Sequence, residues 1–212
     1  LKTPLAIMRT HLESELGNEA IPLDVRRKLV MDVEEIARLN HLIGEMRTLV
    51  SGDSSELKLN FKQESLIALS VDVVELLEPL AGEKEQKLTF VVTQNITLNM
   101  NREKVMQLFY NLIHNAIKYT PCEGEIEVDC TQYDDEIVVS VKDSGQGIAI
   151  NEQQAIFDIF YRAKNSSSIK DIEGSGLGLA VCKTIAKSHN GVIELKSELG
   201  VGSEFIVKFS NA

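Results

Sequence analysis

Asn111 and Asn115 stand four residues apart in the stretch LFYNLIHNAIKYTP, Leu108 to Pro121, and Lys118 and Tyr119 follow them. At about 100° per residue, Phe109, Leu112, Ile113, Ala116 and Ile117 share one side of a helix, and the asparagines, the lysine and the tyrosine fall near the other. A solvated helix face is usually written in Glu, Lys, Gln and Arg, because Asn competes with its own backbone and is a mediocre helix former. An amide oxygen is a neutral hard ligand that can hold hydrated Mg²⁺ beside phosphates, which supply most of the remaining coordination. The stripe reads either as a solvated face or as a place for a metal and an anion.

Two glycine-bearing stretches follow. Asp143-Ser144-Gly145-Gln146-Gly147-Ile148 comes directly after Val139, Ser140 and Val141, the end of an alternating run. A carboxylate buried at a strand end needs donors, and an adenine amino group is one. The glycines let the backbone turn tightly and approach a flat ring; the alternative is an ordinary turn. Gly174-Ser175-Gly176-Leu177-Gly178-Leu179 opens a helical pattern. Free N–H groups and the positive end of the dipole at such a helix start suit phosphates. The spacing is not the Rossmann one, so a dinucleotide fold is not expected. Between the two lie Phe157-Asp158-Ile159-Phe160-Tyr161-Arg162 and a polar segment up to Gly174 that reads as a mobile lid. Arg162, Lys164 and Lys170 either neutralise phosphates there or are merely solvated. Gly200-Val201-Gly202-Ser203-Glu204-Phe205 reads as a structural hairpin turn.

The elements that must position these residues are legible from periodicity. Apolar residues at 1, 5, 8, 12 and 16 predict a first helix to Leu16, which Gly17-Asn18 stops, and a second helix runs from about Leu23 to Val50. Two helices joined by a short loop make an antiparallel hairpin. A lone hairpin cannot bury both faces, so residues 1–50 are expected to pair with a second copy as a dimeric four-helix bundle; the alternative is packing on the rest of the same chain. Ser51 to Glu56, SGDSSE, is a linker by composition, and residues 57–212 form a second domain. There Leu57, Leu59 and Phe61 alternate as a strand, Ser65 to about Gly82 is helical, and 87–93 and 96–100 are short strands. Asn101 caps the helix that carries the asparagine pair, and a hairpin turning at YDD joins strands through Ile126 and Ile137. A helix from about Leu177 to His189, where a cation would suit the dipole, precedes two closing strands near 192–197 and 203–209. The fold class is α+β: a helical hairpin followed by a two-layer α/β sandwich.

The 212 residues and 43% hydrophobic content suit a globular protein with a sizeable core. A net charge of −10 argues against nucleic acid as a partner and requires a bound polyanion to be met by local cations and a metal. Cys122, Cys130 and Cys182 show no C-x-x-C spacing; neither a disulfide framework nor zinc is suggested, and a reducing compartment fits. Cys130 continues the inward alternation of Ile126 and Val128, a core position. No run is long and apolar enough for a membrane span, and no signal-peptide pattern opens the chain, so this stretch is expected to be soluble.

Taken in order, NLIHNAIKYTP, DSGQGI, FDIFYR, GSGLGL and GVGSEF resemble the N, G1, F, G2 and G3 boxes of the ATP-binding domain of bacterial sensor histidine kinases, of the GHKL ATPase type. LKTPLAIMRTHLE resembles the start of the first helix of their dimerisation and phosphotransfer domain. The resemblance implies ATP and Mg²⁺ as cofactors, with Asn115 on the metal supported by Asn111, and Lys118 and Arg162 on phosphate. It implies adenine packing by Tyr119 and a hydrogen bond from the adenine amino group to Asp143. Gly145, Gly147 and Ile148 would shape the adenine pocket, and Phe160, Gly174, Gly176, Leu177, Gly178 and Leu179 would line the rest of the nucleotide site. Thr3 matches the polar residue used to hydrolyse the phospho-aspartate of a partner response regulator receiver domain. The family pattern His-Glu-Leu-Lys-Thr-Pro-Leu would place the phospho-accepting histidine just before Leu1; His11, His41, His114 and His189 do not match it. Sensor and membrane segments would also lie upstream, which implies that this chain is the cytoplasmic portion of a bacterial inner-membrane sensor. Gyrase- and chaperone-type relatives carry a water-activating Glu where this chain has Asn111, which cannot act as a base. A non-catalytic ATP-binding dimerisation scaffold, or a module that only dephosphorylates its partner, is the alternative reading.

Overall fold

The helical spacing at the start of the chain forms α1, Lys2–Leu16, and α2, Leu23–Gly52. The computed structural model describes residues 2–18, 21–52, 60–92, 94–133, 136–162 and 174–210, and the chain divides into two units, Leu1–Val50 and Ser51–Ala212. In the first, Arg26 reaches back to the Asn18 carbonyl at 3.1 Å across the turn. Leu5, Leu12, Leu16, Leu29, Val33 and Ile36 are half-buried. No apolar side chain of α1 or α2 is fully buried among the described residues, and Ile7, Met8 and Met31 are more than half exposed. Helix α2 runs two residues further than its apolar pattern, so Ser51 and Gly52 are helical where the composition suggests linker. Neither residue type forbids a last helical turn; the rest of SGDSSE lies outside the described residues.

The second unit contains β1 (Lys62–Ser65), α3 (Leu66–Gly82), β2 (Lys87–Val92), β3 (Thr97–Met100), α4 (Arg102–Tyr119), β4 (Glu125–Tyr133) and β5 (Glu136–Asp143). A single 3₁₀ turn at Ala155–Phe157 is followed by α5 (Gly178–Ser188), β6 (Gly191–Glu198) and β7 (Gly202–Ser210). Strands β2-β4-β5-β7-β6 form one sheet, with β2 parallel to β4 and the other pairs antiparallel; β1 and β3 form a separate ribbon. The expected alternation shows in β5, where Ile137, Val139 and Val141 are buried between more exposed neighbours. Those residues, with Ile126, Val128, Cys130, Val207 and Phe209, meet Leu69, Val73, Leu112, Ile113, Ala116, Val181 and Ile185 from the helices. This is the two-layer sandwich, and burial pushes the Cys130 thiol up to about 11. Cys182 is buried as well, and Cys122 is exposed.

Ser65 and Asn101 cap α3 and α4, their side chains accepting from the backbone N–H of Ala68 and Lys104. Two readings need correction. The strand placed at Leu57, Leu59 and Phe61 falls instead on KQES, Lys62–Ser65, while 57 and 59 lie outside the described residues. Register against β3, Lys62 to Met100 and Ser65 to Thr97, recruits this polar segment; alternation does not. His189 is not a cation at a helix end. It is buried, Nε2 accepts from the Asn101 N–H at 3.1 Å, Nδ1 lies 2.9 Å from the Ile185 carbonyl, and burial lowers its pKa. A neutral imidazole thus ties the start of α4 to the end of α5. The lid reading, with Lys164 and Lys170, and the aspartates of YDD lie outside the described residues. Among the described residues no helix is long and apolar enough to cross a membrane.

Candidate functional site

Asp143 ends β5 and is 8% exposed. The Gly145 N–H donates to its Oδ1 at 2.8 Å, and the Ser203 backbone N–H donates to the same carboxylate. Burial raises the Asp143 pKa, and the two N–H groups only partly offset this, so the carboxylate is short of donors. The loop after it is moulded in backbone. A Cβ on Gly145 would lie 2.6 Å from both Asp143 Oδ1 and the Tyr119 carbonyl oxygen; one on Gly147, whose φ is +67°, would lie 1.9 Å from the Glu198 carbonyl oxygen. These are positions that glycine alone fits.

Two residues outside the expected set hold this loop. The Ser197 hydroxyl accepts from the Ile148 N–H at 2.8 Å and donates to the Gly202 carbonyl at 2.9 Å. Gln153 donates to the Ile148 carbonyl at 3.0 Å and the Ser197 carbonyl at 2.9 Å. Neither belongs to a pattern a single sequence exposes, since the bonds that join Ser197 to Ile148 and to Gln153 span 49 and 44 residues.

The loop meets α4 at its C-terminal end, where the Gln146 N–H donates to the Tyr119 carbonyl at 3.4 Å. Lys118 Nζ lies 5.3 Å from the centre of the Tyr119 ring and 2.7 Å from where a Cβ on Gly174 would stand. Burial raises the Tyr119 pKa, and the Arg162 guanidinium pulls the other way, which places Arg162 in the field of the same ring. Asn111 is buried, and its amide nitrogen donates to the Gly178 carbonyl at 3.3 Å, tying α4 to the start of α5. Asn115 is half-buried, and its amide has no hydrogen-bond partner among the described residues.

The second glycine loop abuts the FDIFYR segment. Phe160 donates its N–H to the Gly176 carbonyl at 3.0 Å; both residues have positive φ, 64° and +71°. A Cβ on Gly176 would be 2.8 Å from the Phe160 carbonyl carbon. A bulky residue in the left-handed region is costly and is held by its surroundings, which marks this junction as constrained. Tyr161 next to it donates to Glu152 at 3.1 Å. Of the N–H groups expected to be free at the start of α5, that of Leu177 is already taken by Ser175 Oγ at 3.1 Å. Leu177 itself is buried and Leu179 half-buried. Thr3 lies in the first turn of α1, exposed, in the other unit.

No cluster of three or more His, Cys, Asp or Glu side chains able to hold a metal occurs among the described residues. A cation here would depend on amide oxygens and on phosphate oxygens, which is the donor set that a hydrated Mg²⁺ accepts.

Residues 100–212 match the family described as histidine kinase-, DNA gyrase B- and HSP90-like ATPases. The sensor protein SrrB of Staphylococcus aureus is 31% identical over 209 residues, 98% of this chain and 36% of that protein, so the chain spans about a third of such relatives. The catalytic domain of the histidine kinase ThkA, in a nucleotide-free form, aligns with a TM-score of 0.63 at 26% identity, covering 72% of this chain and 98% of that one. Full-length ShkA in complex with AMPPNP aligns with a TM-score of 0.78 at 23% identity, over 99% of this chain and 46% of that one, a likeness of fold.

Proposed function

Because this chain belongs to the histidine kinase-, DNA gyrase B- and HSP90-like ATPase family, and its relatives include sensor histidine kinases, we propose that it is the catalytic core of an ATP-dependent protein-histidine kinase. The phosphoryl acceptor is a histidine preceding Leu1, and the phosphoryl group then passes to an aspartate of a response regulator receiver domain. The supporting observation is the C-terminal turn of α4. Its Tyr119 carbonyl receives the loop that carries Asp143, while the Lys118 ammonium beside it stands against Gly174.

In this reading the buried Asp143 carboxylate accepts from the adenine amino group, supplying the donor its surroundings lack. Tyr119 packs on the ring, and Lys118 and Arg162 neutralise phosphate charge. Asn115, with Asn111 behind it, holds Mg²⁺, which supplies charge neutralisation at the phosphates when bound. The imidazole nitrogen forms its bond to the γ-phosphorus as the bond to the bridging oxygen breaks, and ADP leaves. The aspartate carboxylate of the regulator then takes the phosphoryl group from the nitrogen. Asn111, an amide engaged with Gly178, offers no base to activate water in place of the histidine. Exposed on α1, Thr3 serves the opposing hydrolytic reaction by positioning water against the regulator's phospho-aspartate, which releases inorganic phosphate and restores the carboxylate. The exposed apolar residues of α1 and α2 are covered by a second copy, giving a homodimer. The parent protein is a membrane sensor whose anchoring segments lie upstream, with this part in the cytoplasm.

The test is transfer from γ-labelled ATP to the chain extended upstream by its native residues. Acid-labile label is expected on the extended chain, reduced about a hundredfold or more by Asn115→Ala. ATP binding without label on the extended chain would instead support the scaffold or phosphatase-only alternative. Full labelling of the Asn115→Ala variant would refute the metal assignment.

A further inference from the structure

A helix leaves its last four carbonyls without intrahelical donors, and most helices answer with a glycine cap or with water. Helix α4 has no glycine at this end. Thr120 follows it in extended conformation, its N–H taking the Ala116 carbonyl, and Pro121 comes next. The other carbonyls are met from far away in the chain. Lys84 Nζ donates to the carbonyls of Ile117 at 2.8 Å, Lys118 at 3.1 Å and Thr120 at 3.4 Å. Gln86 Nε2 donates to Ile117 at 3.0 Å, Thr120 at 2.7 Å and Pro121 at 3.2 Å. Tyr119 is left to the Gln146 N–H.

Both residues sit in the turn between α3 and β2, which is itself fixed. Glu85 has φ 54°, the Glu123 N–H donates to the Lys84 carbonyl, and the Lys87 N–H to that of Gly124. Gln86 is buried, and three carbonyls around its nitrogen decide which way the amide points. Its Oε1 then has no partner among the described residues, so the site keeps the donors at the cost of an unpaired acceptor. An ammonium at the negative end of the α4 dipole adds charge to the bond geometry. Neither residue falls within 100–212, the segment that matches the ATPase family.

We propose that Lys84, assisted by Gln86, is a positioning residue for the nucleotide site: it clamps the last turn of α4 and thereby sets where Lys118 presents its ammonium. Without Lys84 the Ile117 and Thr120 carbonyls keep only the Gln86 amide, while the Lys118 carbonyl loses the ammonium that Gln86 does not replace, so the turn is loosened at Lys118 itself. This rests on the ATP reading of the site.

The test measures ATP affinity with Mg²⁺ for the wild type, Lys84→Met, Lys84→Arg, Lys118→Met and the Lys84/Lys118 double variant, with thermal unfolding of each. Lys84→Met is expected to weaken ATP about tenfold, Lys84→Arg to recover most of the loss, and the effect to shrink below about twofold once Lys118 is already Met. A merely structural role would lower the unfolding temperature and leave the loss in ATP affinity equal on both backgrounds, which would overturn the proposal. So would unchanged ATP affinity in Lys84→Met. If that variant does not fold, Lys84→Gln, which keeps an amide donor group without the charge, is measured in its place on the same two backgrounds. Absence of ATP binding by the wild type would reject the site reading itself.

Discussion

Around Asp143 the site is made of backbone, whereas around Lys118 it is made largely of side-chain ends. Substituents on Gly145 and Gly147 would strike carbonyl oxygens at 2.6 and 1.9 Å, and Ser197 and Gln153 hold the same loop through four hydrogen bonds. Among the described residues a substituent on Gly174 would meet only the Lys118 ammonium. Gly176 is the fixed point on that second side, locked against Phe160. Backbone cannot re-aim, but a lysine head on a four-carbon stem can. The division fits the proposed phosphoryl donor: in that reading one end of the nucleotide would be read by a prebuilt mould, and the reacting end would be met by groups that adjust as charge moves.

Filling the mould is the severest way to break this contrast. Gly147→Ala places a methyl group inside the van der Waals radius of the Glu198 carbonyl at a backbone φ of +67°. Calorimetric titration is expected to show ATP affinity reduced about a hundredfold or more, with a stability loss of about 2–4 kcal/mol by thermal unfolding.

Asp143→Asn should weaken ATP by about thirtyfold while sparing or raising the stability of the unliganded protein. The sign follows from linkage. The Asp143 pKa is raised in the folded state by burial, so its stabilising neutral form is complete below the unfolded value and is lost as pH rises through the folded one. Comparing unfolding temperatures from pH 4 to pH 7 should show the Asn variant gaining on the wild type as pH rises.

Gly174→Ala is the mildest of the three. Its methyl group displaces a flexible ammonium, and ATP affinity is expected to change by less than about threefold with stability unaltered. A loss comparable to that of Gly147→Ala would erase the distinction between the two sides.

How much of this was legible in the sequence depends on the range of the interaction. Helix α4, with its Asn101 cap and buried Phe109, Leu112 and Ile113, announces itself because capping and 3.6-residue periodicity act within a few residues. The candidate residues Asn111, Lys118, Tyr119, Asp143 and Gly174 could be named for the same reason: each lies in a short stretch whose chemistry is local. What escaped is tertiary. Strand β1 has no pattern of its own and exists through its partner. The bonds that join Ser197 to Ile148 and to Gln153 span 49 and 44 residues, and the Lys84 and Gln86 clamp spans 31 to 36. His189 looked like a helix-end cation because the sequence does not show the Asn101 N–H that needs its lone pair.

The claim on which the account rests is that the Asp143 mould selects an adenine nucleotide. It is tested by titrating the chain, with Mg²⁺, with ATP and with inosine triphosphate, which carries a carbonyl where adenine has its amino group. ATP is expected to bind at least about a hundredfold more tightly, because the carbonyl would face a buried carboxylate with no proton between them. Equal affinity for the two nucleotides would contradict it.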